Sequence, residues 1–87
     1  MKMIILIAKD HDADTITQAL TTAEYRVTRV ASTGGFLRSG VATLLLGVDD
    51  DRVDSAIGLI REKLSSAAAG EKRATLFVVP VERFEQV

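Results

Sequence analysis

Three short runs, Ile4-Ile5-Leu6-Ile7, Leu44-Leu45-Leu46 and Leu76-Phe77-Val78-Val79, carry apolar side chains with no polar residue between them. Read as strands, they send successive side chains to opposite faces, so each run is apolar on both. Any sheet built from them has two faces to cover, and the rest of the chain must supply the cover. Met3 to Ala8 is the first strand, bounded by charge and rich in isoleucine. Ala13, Ile16, Leu20 and Ala23 follow at helical spacing, with Asp12 or Asp14 available to cap the free amides at the helix start. Tyr25 to Ala31 is the second strand, with Arg26, Thr28 and Val30 projecting to one face.

Ser32 to Gly40 holds three of the six glycines and reads as a hairpin loop into a third strand, Ala42 to Val48. Behind Asp49-Asp50-Asp51, a second helix places Val53, Ala56, Ile57, Ile60 and Leu64 on one stripe, its carboxylates set against the amino-terminal dipole. Ser65 to Lys72 is small and polar around Gly70. Ala74 to Val79 is the last strand and stops at Pro80, which has no amide for the ladder. The order βαββαβ predicts an α+β, ferredoxin-like sandwich, a four-stranded antiparallel sheet with two helices on one face, forming a single domain over residues 1–87. Two helices bury one sheet face only. The other predicts self-association with closed symmetry, because the chain has no further element to cover it.

Composition narrows the function classes. Eleven lysines and arginines against twelve aspartates and glutamates give no net positive field, so bulk nucleic-acid binding is not expected. The absence of cysteine excludes thiolate zinc sites, disulfide frameworks and cysteine nucleophiles. The apolar start, Met1 to Ala8, is too short to span a bilayer and runs into Lys9-Asp10 without a small-residue cleavage site, which makes the cytoplasm the expected location, with no membrane insertion.

The chemistry-bearing segment is Arg26 to Gly40. It combines arginines, hydroxyls, Gly34-Gly35 and one aromatic, Phe36. Glycines let consecutive amides turn toward one anion, arginine offers a planar fork to phosphate oxygens, and Phe36 can stack on a base. Composition alone does not separate that reading from a loop that carries Gly-Gly only to turn.

The string from Arg26-Val-Thr28 through Ser32-Thr33-Gly34-Gly35-Phe36-Leu37-Arg38-Ser39-Gly40 resembles the signature of the PII-like cyclic-di-AMP receptors. The opening Met-Lys-Met-Ile-Ile, the stretch Gly47 to Asp54 and the ending Ala74 to Phe84 follow the same pattern, so the likeness covers nearly all of the chain except Ser65 to Arg73. The resemblance implies a homotrimer that holds cyclic-di-AMP or a related adenine nucleotide in clefts between subunits, without catalysis; a signalling role that relays ligand state to a partner protein through the 32–40 loop is expected with it, and no cofactor or metal is expected. Carried over by position, Arg26 and Thr28 meet the phosphodiester and base region, and Thr33, Gly34 and Gly35 belong to the binding loop. Phe36 and Leu37 pack on the adenine, while Gly47, Phe77 and Gln86 line the pocket. Two positions differ from that pattern. Val41-Ala42 stands where an Asn-Thr pair follows the loop's last glycine, which removes an amide able to read an adenine edge; such a loss is expected to cost roughly ten- to hundred-fold in affinity. The loop before the last strand is also reduced to Ser65–Arg73, removing a lid over the ligand.

The remaining candidates have plainer explanations. His11 with Asp10, Asp12 and Asp14 reads as a helix start, and Asp49-Asp50-Asp51 lacks the spacing and glycine of a calcium loop. Ser32, Thr33 and Ser39 have no activating base nearby in sequence. Lys72 and Arg73 either reach phosphate across a subunit boundary or solubilise the surface. Phe84 and Gln86 either join the pocket or pin the tail. Two further functions stay open: a nucleotide-independent interaction module with a degenerate pocket, and a small phosphohydrolase using loop amides and an arginine.

Overall fold

The computed structural model describes residues 1–30, 40–64 and 72–87. Along the chain run β1 (Lys2–Lys9), α1 (Asp10–Thr22), β2 (Val27–Val30), β3 (Val41–Val48), one turn of 3-10 helix (Asp50–Arg52), α2 (Val53–Lys63) and β4 (Ala74–Pro80). The strands form one antiparallel sheet in the order β2-β3-β1-β4, with the ferredoxin-like α+β topology that the element order predicts.

Register explains which residues make the core. Ile4 lies between Leu46 and Val78, Leu6 between Leu44 and Leu76, and Ala8 between Ala42 and Ala74. These rows point to the helices, and Ile4, Leu6, Leu44 and Leu46 are fully buried there against Ala13, Ile16 and Leu20 of α1 and Ala56 and Ile60 of α2. The intervening residues, Met3, Ile5, Ile7, Thr43, Leu45, Phe77 and Val79, share the opposite face, which neither α1 nor α2 covers.

Three local details differ from the sequence-based expectation. Helix α1 starts two residues before Asp12, its N-cap residue is Lys9, and no side chain caps it. The Asp10 amide instead donates to the Gly40 carbonyl at 2.8 Å, so the entry to β3 satisfies a helix donor that would otherwise need an aspartate. Asp12 is buried, and Asp14 receives Arg29 of β2. Arg29 also reaches Asp10 at 3.3 Å, and the hydrogen bond and charge from Asp14 hold its pKa above the usual guanidinium value.

The second strand begins at Val27 rather than Tyr25, because the end of α1 reverses the chain through Glu24 at φ 68°. Glu24 and Tyr25 donate their amides back to the carbonyls of Thr21 and Leu20, a Schellman closure in which the residue after the left-handed position packs inward. Tyr25 accordingly belongs to the core, with the Arg52 guanidinium 4.1 Å from its ring centre. Ala31, the expected end of this strand, and Ser65 to Glu71 lie outside the described residues. Asp50 accepts the Met1 ammonium at 3.1 Å, and that hydrogen bond and charge hold its carboxyl below the ordinary range. No helix among the described residues is long and apolar enough to cross a membrane.

Candidate functional site

The uncovered sheet face carries a concavity of about 980 Å³ at the end where β1 begins and β3 finishes. Its floor is Met3, Leu45 and Gly47, its side is Arg26 and Thr28, and the segment after β4 forms the other wall through Val81, Phe84 and Gln86. Register brings the floor and side together: Thr28 is opposite Leu45 on β3, and Met3 of β1 is opposite Gly47. The segment that forms the last wall is tied to the start of the chain by the Val81 amide, which donates to the Met1 carbonyl at 3.1 Å.

Four residues singled out from the sequence, Arg26, Thr28, Gly47 and Gln86, therefore meet around one cavity although they are sixty positions apart along the chain (86 − 26). Phe77 is on the same sheet face but outside the cavity. It shares a cross-sheet row with Ile5, Leu45 and Thr28, which puts two strand spacings, about 10 Å, between it and Leu45. Its side chain is 51% exposed. Thr33, Gly34, Gly35, Phe36 and Leu37 lie outside the described residues, as do Ser32 and Ser39. Of the residues that flank them, Gly40 stands about 23 Å from Gly47 along β3, whereas Val30, opposite Thr43, is two residues along β2 from Thr28.

Gly47 has a plain reading in this geometry. A Cβ there would meet only the Met1 Sδ, at 3.9 Å, an ordinary contact, so packing within the chain does not demand glycine. Its effect is to leave the cavity floor low. Gly40 is different: at φ 83° its backbone conformation favours glycine, while a Cβ would meet nothing within 4 Å.

The cavity combines a guanidinium, a hydroxyl, a carboxamide and an apolar floor. That set can hold an anion through Arg26 while a flat apolar group lies over Met3 and Leu45 with its polar edge toward Gln86. No carboxylate among the described residues pairs with Arg26, which leaves its fork available. Sequence reasoning missed Leu45, Met1, Met3 and Arg83. The signal for Leu45 was present in the strand period, since it sits two residues before Gly47 on the same face; Arg83 has no such signal. Phe84 lines the wall and is 64% exposed. Lys72 and Arg73 belong elsewhere, to the rim of a smaller cleft of about 430 Å³ between α2 and β4. His11 accepts the Thr15 hydroxyl at its carbonyl, and no cluster of three or more potential metal ligands occurs among the described residues.

Comparison with known proteins gives two findings. A family model described as cyclic-di-AMP receptor matches residues 1–69, which include Arg26, Thr28 and Gly47 and end before β4. A crystal structure of a functionally unknown protein from Pediococcus pentosaceus ATCC 25745 superposes with a TM-score of 0.77 at 28% identity, covering 99% of this chain and 96% of that one.

Proposed function

This chain belongs to the cyclic-di-AMP receptor family, and on that premise we propose that it is a PII-like signalling protein, not an enzyme, that binds cyclic-di-AMP or a related adenine nucleotide in clefts between subunits of a homotrimer. The observation that carries this reading is the convergence of Arg26, Thr28, Gly47 and Gln86 on one cavity of the uncovered sheet face. Arg26 offers a bidentate fork to a phosphodiester, Thr28 a hydroxyl beside it, and Gln86 an amide that both donates and accepts along a purine edge.

The apolar sheet face that carries the cavity favours a site shared between copies. A neighbouring subunit packed on that face closes the cavity that Arg26 and Thr28 line and adds its own residues to it. The same packing covers Ile5, Ile7, Leu45 and Phe77, which otherwise stay in water. Ligand held between two copies then orders the 32–40 loop, and a partner protein reads the loop state.

Calorimetric titration with cyclic-di-AMP, ATP, ADP and AMP, repeated on Arg26→Ala, tests the reading. Saturable binding that the variant loses supports it, and no heat with any of the four sinks it. A nucleotide-independent interaction module is the second reading, favoured by Val41, which enters β3 opposite Lys9 with an apolar side chain where the receptor pattern carries an amide. Capture of a partner at equal strength with and without nucleotide would favour that reading.

A further inference from the structure

The cavity contains a second cation, which the family match over residues 1–69 does not reach. Arg83 lines the same space as Arg26, from the segment after β4. Its Nη2 donates to the Glu85 Oε1 at 2.7 Å, with the two side chains 78% and 58% exposed. We propose that Arg83 is a second phosphate-binding residue of this cavity, and that Glu85 is an internal anion that a ligand phosphate displaces. The inference rests on the nucleotide reading above.

A cyclic dinucleotide carries two phosphodiesters, and Arg26 can fork only one of them. Arg83, on the opposite wall, is placed for the other. Its present partner is two residues away on the same exposed segment, and water-screened pairs of this kind contribute little, so exchanging Glu85 for a bidentate phosphate costs little and gains a better fit. The remaining charged residue of the lining, Glu82, sets a limit. With two cations against one carboxylate, the site suits a ligand with two dispersed negative charges better than a triphosphate, whose added charge is repelled by Glu82. The selectivity expected is cyclic-di-AMP over ATP.

Titration of cyclic-di-AMP into the unaltered chain, Arg83→Ala, Arg83→Lys and Glu85→Gln, at low and high sodium chloride, tests this. Arg83→Ala is expected to weaken binding on the order of tenfold, with the loss shrinking as salt rises, and Arg83→Lys to recover part of it. Glu85→Gln is expected to tighten binding about two- to five-fold by removing the competitor. Equal affinity in Arg83→Ala and the unaltered chain, or a loss indifferent to salt, overturns the proposal while the receptor reading stands. No binding by the unaltered chain defeats the receptor reading and this inference with it.

Discussion

Leu44 and Leu45 are neighbours in the chain and have opposite fates. Leu44 faces the helices and is fully buried between Leu6 and Arg29 in register, while Leu45 faces away and floors the cavity. The same contrast repeats along β1, where Ile4 and Leu6 are sealed and Met3, Ile5 and Ile7 keep some contact with solvent. An uninterrupted apolar run thus serves two ends with one strand. The even positions of β1 and β3 hold the chain together, and the odd positions provide a surface for something else.

The contrast can be broken in order of expected effect. Leu44→Ala should cost about 2–5 kcal/mol of stability, read as a lower denaturant midpoint, because the void it leaves is enclosed on every side. A cost under about 1 kcal/mol would mean that the helix face is not the organising core. Phe77→Glu, on the open face, should leave the far-ultraviolet spectrum of the chain intact and weaken self-association at least about tenfold in sedimentation, since a charge placed in an apolar contact must be desolvated. An unchanged assembly would show that copies meet elsewhere. Leu45→Ala should lower stability by no more than about 1 kcal/mol and reduce nucleotide affinity a few-fold, the reverse of Leu44→Ala in both measurements. The smallest effect is expected from Arg29→Ala. Its pairs with Asp10 and Asp14 are exposed and screened, so the loss should stay near 0.5 kcal/mol and fade in high salt.

The layered fold was legible because its determinants are periodic. The α1 stripe Ala13, Ile16 and Leu20 and the strand runs are local patterns, and each element formed within two or three residues of its expected limits. Tyr25 was misplaced because the chain turns at Glu24 without the glycine that usually marks a left-handed helix end; what selects that turn is the burial of Tyr25 beside Arg52, a contact between distant residues. The missing aspartate cap has the same origin, since the donor is met by Gly40, thirty positions later (40 − 10). For the site, the residues carried over by resemblance include four that converge, whereas Leu45 and Arg83 required the register of β3 and the course of the chain after Pro80. Chemistry assembled from three strands and a tail leaves no spacing to read.

The sheet order also bears on how the chain acquires its structure. β1 sits inside, zipped to β3 on one side and β4 on the other along nearly its whole length. β1 is synthesised before either partner and waits longest for β4, because Ala8 must find Ala74 and Met3 must find Val79. Closing such distant ends before any reward is gained slows folding, to roughly milliseconds or longer for topologies dominated by remote pairings. Until Ala74–Pro80 arrives, one flank of Ile4-Ile5-Leu6-Ile7 offers bare amides and carbonyls to any passing strand, so a nascent or partly unfolded chain has its greatest tendency to aggregate at its own centre.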